Sequence, residues 1–126
     1  MLMSEDIGAF YQWQHSFMVS QAAGLRTDIY YLENSEVLTD LDIHITMFDV
    51  LYYYNGDHLG TTIDEQDAEY LKIESDKLIE CACKRFDITT DVLDDMLKTC
   101  LMKSGNDVDP QKVSNYCDKN KEIFKK

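Results

Sequence analysis

The run Glu36–Tyr54, EVLTDLDIHITMFDVLYYY, constrains this chain more than any other stretch. It is the longest segment dominated by apolar residues, and Asn55-Gly56 stops it. Wound as a helix, it places Leu38, Leu41, Ile45, Phe48 and Tyr52 on one face, at steps of three and four. Ile43, Met47, Val50 and Tyr54 fall opposite, and Asp42, Thr46, Asp49 and Tyr53 share a narrow edge. A helix apolar on two faces is expected to be enclosed by neighbours. Residues 40–47 also alternate strictly: Asp40, Asp42, His44 and Thr46 against Leu41, Ile43, Ile45 and Met47. A strand therefore competes, since Ile and Thr are good strand formers. The alternation fails at Phe48-Asp49, where the helical spacing continues. Asn55-Gly56 suits a left-handed helix end or a two-residue hairpin turn. Helix is the favoured reading, with Ser35 as its cap.

The flanking segments carry clearer signals. Ser4 caps a first helix with Glu5 and Asp6 in its opening turn. Ile7, Phe10, Tyr11, Phe17 and Met18 make its stripe, and Gly24 followed by Leu25 reads as its stop. Asp28–Leu32 fits a short strand or a helical turn. Thr62-Ile63-Asp64-Glu65 matches a capping box and opens the next helix, with Ala68, Leu71, Leu78, Ile79, Ala82 and Phe86 on its buried face. Asp87-Ile88-Thr89 breaks that helix, and Thr90 caps another containing Leu93, Met96, Leu97, Cys100 and Leu101. Asp109-Pro110 starts the last helix, because proline is well tolerated at the first helical position. The expected fold is mainly α: one compact domain of about five helices, with room for a minor strand or hairpin within 28–62. A chain of 126 residues is long enough to bury a core of its own.

Charge divides the chain in two. Residues 1–71 hold thirteen Asp or Glu and one base, Arg26. Residues 72–126 hold eleven of each sign, so the net charge of −12 belongs to the first part. Trp13 and seven of the eight tyrosines lie there too. A field of that sign repels nucleic acid and anionic membrane. No apolar run approaches the ~20 residues that span a bilayer. The stretch MLMSEDIGAF lacks the basic and apolar regions of a signal peptide. Cys81, Cys83, Cys100 and Cys117 are then expected to be reduced thiols in a cytoplasmic protein.

Chemical motifs are few. Residues 55–60 sit between helices, but no register supplies the oxygen ligands and the glycine of a calcium loop. Cys81 and Cys83 point apart on a helix, and His15, His44 and His58 are scattered, so no metal is expected. Asp57-His58 is the one local acid–imidazole pair. No phosphate-binding glycine loop or nucleophile elbow accompanies it, so neither cofactor nor enzyme activity is expected.

Leu78–Met102 resembles the spacing of DNA-binding helix-turn-helix units: a helix, a turn at Phe86–Thr89, and a helix anchored by Leu93 and Met96. Asp87 stands where the turn usually has glycine. The second helix would present Asp91, Asp94 and Asp95 to the duplex, and carboxylates oppose binding to phosphates. The resemblance therefore implies protein contacts, as in a transcription accessory factor whose Lys-rich end could touch DNA.

The leading expectation is a non-enzymatic inhibitor or adaptor. Its acidic half would dock on the basic surface of a nucleic-acid-processing protein, in one version as a DNA mimic. Acids would steer the encounter and tyrosines would anchor it. The contact residues expected are Glu36, Asp40, Asp42, Asp49, Asp64 and Glu65 with Tyr30, Tyr31, Tyr53 and Tyr54. Asp91, Asp94 and Asp95 serve the alternative. A third reading is self-assembly through Tyr30, Tyr31 and Tyr52–Tyr54.

Overall fold

The computed structural model describes residues 4–56, 65–103, 105 and 107–124, with side chains described from Val19 onward. The described residues form six helices and no strand. These are α1 (Ser4–Asn34), α2 (Asp40–Tyr54), α3 (Glu65–Phe86), α4 (Thr90–Cys100), α5 (Pro110–Lys119) and α6 (Lys121–Phe124). The mainly α expectation holds. The one extended pairing among them is an isolated antiparallel bridge between Leu101 and Val108, which closes the α4–α5 turn.

α1 does not stop at Gly24; it runs on to Asn34, 31 residues in all. Ala22 and Leu25 beside the glycine, and Leu32 beyond it, are buried in the core. α1 packs along α3, and that tertiary contact carries the helix through a residue of low helix propensity. At its end, Arg85 of α3 donates from Nη1 to the Leu32 and Ser35 carbonyls. Its Nη2 donates to the Glu36 carbonyl at 3.1 Å. A guanidinium thus replaces the capping residue, since α1 has no base in its last turn.

The strand alternative for 36–54 fails, and the helix begins later than Ser35. Thr39 is the N-cap: its Oγ1 accepts from the Asp42 amide at 3.1 Å, and Asp42 Oδ2 accepts from the Thr39 amide at 3.2 Å. This capping box satisfies two orphan backbone donors and fixes the start. Gly56 ends the segment with φ 79°, as a left-handed helix terminus requires.

The capping box expected at Thr62 lies outside the described residues. α3 buries Leu71, Ser75, Leu78, Ala82 and Phe86, while Ala68 and Ile79 are half-buried. It stops in a Schellman arrangement: Asp87 adopts φ 54°, and the Ile88 amide bonds the Cys83 carbonyl at 3.0 Å. α4 starts after Thr89, not Thr90. Asp109 caps α5 through the Gln111 amide at 2.9 Å, with Pro110 in the first turn as expected.

α2 packs against α3, α5 and α4, and α4 leans on α5. The buried residues join in one cluster that includes Met47, Leu51, Leu71, Leu78, Leu93, Met96 and Val113. Phe124 of α6 closes its edge against Phe86, with ring centroids 5.2 Å apart.

Candidate functional site

The two apolar faces of α2 have different fates. Ile43, Met47 and Val50 are buried in the core, together with Thr46 and Leu51. On the other face only Leu38 is buried, and it precedes the helix. Leu41 is 65% exposed and Ile45 52%, and Val37 ahead of them is 83% exposed. Phe48 and Tyr52 continue the stripe half-buried. The expectation that α2 is enclosed on both faces is therefore corrected. Its neighbours cover one face, and the other presents an apolar ridge to water.

The ridge has an acidic setting. Glu36, Asp40 and Asp42 are exposed around its start, and Asp42 is also held in the capping box. Glu65 is exposed at the head of α3. Asp64 lies outside the described residues. The one base of the acidic half, Arg26, lies over the Tyr70 ring with its Cζ 5.6 Å from the centroid. Tyr30 and Tyr31 are 63% and 50% exposed and meet edge-on at 6.1 Å on α1.

The edge Asp42–Thr46–Asp49–Tyr53 does not face solvent as a whole. Thr46 and Tyr53 are buried, and Asp49 is half-buried. Tyr53 is thus removed from the exposed contact set, because its ring fills the core at the α1–α2 junction. Burial pushes its hydroxyl above the ordinary tyrosine range, helped by Tyr52, Asp49 and Asp28. Tyr54 is half-buried, and its hydroxyl donates to Asp94 Oδ1 at 2.6 Å. That bond, with some burial, lifts the hydroxyl to about 12.

Asp91, Asp94 and Asp95 are exposed on α4. Two of them serve inside the molecule. Asp94 holds Tyr54 of α2, and Asp95 accepts from the Tyr116 hydroxyl of α5 at 2.9 Å. Asp87 does occupy the glycine position of the corner, in the left-handed conformation that position demands.

The residue that sequence reasoning missed is Asp28. It lies on the buried stripe of α1 between Leu25 and Leu32, and is 8% exposed. Its Oδ2 has no hydrogen-bond partner. Its neighbour across the helix pair is Asp49 of α2. Burial first, then the hydrogen bond and the like charge of Asp49, push the Asp28 carboxyl far above the usual range. An acid four residues from one core leucine and three from another was the available signal.

Asp28 and Asp49 line a cavity of about 270 Å³ with Gln21, Gly24, Phe48, Tyr52 and Tyr53. Gln21 Nε2 donates to the Tyr52 hydroxyl at 3.3 Å across it. A larger groove of about 780 Å³ runs between α1 and α3, with Glu33, Glu80, Lys77, Lys84 and Arg85 on its walls. Its charges are of both signs, Arg85 is committed to the end of α1, and Cys81 donates to Glu33 Oε1 at 3.3 Å. The smaller cavity is the one with an unmet chemical demand.

The four thiols are free, and burial raises each of them, Cys100 to about 11 and Cys117 to about 12. Among the described residues no group of three or more His, Cys, Asp or Glu could hold a metal, and no helix is long and apolar enough to cross a membrane. Asp57 and His58 lie outside the described residues. The chain matches no family model, no curated protein and no solved structure.

Proposed function

We propose that this chain is a non-enzymatic docking protein, an inhibitor or adaptor whose α1–α2 half engages a basic surface of a nucleic-acid-processing protein. The observation that carries the reading is the uncovered ridge Val37–Leu41–Ile45, rimmed by Glu36, Asp40 and Asp42. Contiguous exposed apolar surface with a polar rim is the signature of a protein-binding site. The rim selects the partner: its carboxylates favour Lys and Arg and disfavour acidic surfaces. Tyr30 and Tyr31 extend the accessible aromatic area on the neighbouring helix.

The test takes the proteins that the full chain captures from its host extract, purifies them, and measures their affinity individually. A Leu41→Ser/Ile45→Ser chain is expected to bind at least tenfold more weakly. Glu36→Gln/Asp40→Asn is expected to weaken binding and flatten its salt dependence, because exposed charge pairs are screened beyond ~10 Å at 0.1 M salt. Competition with duplex DNA separates an inhibitor, which DNA displaces, from an adaptor, which it does not. A partner indifferent to both double substitutions would refute the reading.

Self-association is favoured by one observation, the exposure of Tyr30 and Tyr31 at 63% and 50%. Sedimentation of the full chain at 100 µM decides it, and a strict monomer removes it.

A further inference from the structure

We infer that the cavity between α1 and α2 is a receptor for one cationic side chain, a lysine or arginine of the docked partner, with Asp49 as its counter-charge and the buried Oδ2 of Asp28 as a hydrogen-bond acceptor. The inference rests on the docking reading for the source of the cation, and on the cavity for its chemistry. Asp28 is more than nine-tenths buried and leaves Oδ2 without a donor, so a group bringing N–H bonds answers its need. Asp49 is half-buried beside it and lines the same cavity.

The walls narrow the class of cation. Phe48, Tyr52 and Tyr53 supply aromatic surface, which attracts ammonium and guanidinium groups. A hard metal ion is bound through oxygen ligands, which aromatic faces do not supply. Size points the same way. Pockets for small ligands and cofactors run from ~300 to 1,000 Å³, and 270 Å³ suits a single side chain. Phe48 and Tyr52 continue the ridge half-buried and line the cavity, so a segment lying on Leu41 and Ile45 would lead toward it.

Gly24 gives an independent argument. It sits in the middle of α1 without a left-handed φ, and a Cβ built there meets nothing within 4 Å. Neither backbone geometry nor packing requires glycine, and glycine weakens a helix interior. Gly24 is exposed and lines the cavity, so a bulky side chain there would crowd its opening.

The experiment titrates the isotope-labelled full chain with n-butylguanidinium chloride and, separately, n-butylammonium chloride, at constant total ionic strength. Saturable millimolar shifts are expected at the amides of residues 21–28 and 48–53. Asp49→Asn should weaken binding at least fivefold. Gly24→Leu should abolish it with both acids in place and thermal stability retained. Shifts that never saturate, or saturable shifts untouched by either substitution, overturn the inference. A basic partner that binds Gly24→Leu as well as the unaltered chain also overturns it and leaves the docking reading standing. Saturable binding of n-butylguanidinium with no basic partner found supports the cavity as a cation site and removes the docking reading.

Discussion

Replacing Asp28 by asparagine should stabilise this protein at neutral pH. In the fold the carboxyl is 8% exposed and faces Asp49, so burial, the hydrogen bond and the like charge all favour its neutral form. Its folded value lies above neutrality, whereas an unfolded aspartate titrates near ~3.9. The protonated group therefore contributes its full stability below ~pH 3.9, and that contribution is lost as pH rises toward the folded value. Each unit of pH across that window costs about 1.4 kcal/mol, giving a ceiling near 4 kcal/mol at pH 7. Local relaxation and water entry reduce this, and a gain of about 1–3 kcal/mol is expected for Asp28→Asn. Asparagine keeps the shape, never ionises, and offers a permanent N–H donor to Asp49. Urea unfolding followed by circular dichroism at pH 4, 5.5 and 7 measures the effect. The two proteins should converge at pH 4 and separate steadily above it, with equal slopes against urea. Parallel stability curves across this range, or an Asp28→Asn chain less stable than the unaltered one at pH 7, would refute the reasoning. Either result would mean that Asp28 carries its charge in the fold.

Arg85→Met keeps much of the side-chain bulk but deletes the donors to the Leu32, Ser35 and Glu36 carbonyls, so a loss of about 2–3 kcal/mol is expected. Faster amide exchange at residues 31–36 should accompany it, and unchanged exchange there would contradict the capping role. Tyr54→Phe removes the 2.6 Å bond to Asp94 at a half-exposed site, for a loss of about 0.5–1.5 kcal/mol by thermal unfolding. The same substitution in an Asp94→Asn background should cost less, and equal costs would show the pair uncoupled. Leu51→Ala, at a fully buried position, should cost about 2–5 kcal/mol, whereas Ile45→Ser on the open ridge should stay within about 0.5 kcal/mol. A large loss at Ile45 would place that ridge inside a contact.

What could be read in advance was whatever the local chain decides. Asp109-Pro110 starts α5 because an aspartate accepts from an amide two residues on and proline suits the first turn, and both effects act within one turn. The α3 stripe from Leu71 to Phe86 shows in the spacing alone. Gly24 misled because its local preference is to end a helix, and contacts with α3, remote in sequence, override it. Ser35 misled for a related reason: Thr39 with Asp42 makes a two-sided box, and Ser35 has no such partner. Asp28 was hidden because a lone carboxylate reads as a surface group, and only Asp49, twenty-one positions later, reveals its setting.

The facing of α2 marks where local reasoning stops. Leu41, Ile45, Phe48 and Tyr52 carry the same periodic signal as Ile43, Met47, Val50 and Tyr54, so spacing cannot choose between them. Three neighbouring helices choose, and they cover one side. A helix serving only this core would need one apolar face and would gain solubility from polar residues at positions 41 and 45. Exposed leucine or isoleucine taken singly needs no explanation. Val37, Leu41, Ile45, Phe48 and Tyr52 follow one another at steps of three or four, and the last two border the cavity that holds Asp28. Apolar contact and an unmet carboxylate therefore lie on one continuous surface. A partner that covers the ridge removes apolar area from water and brings its N–H donors to the buried oxygen that lacks one.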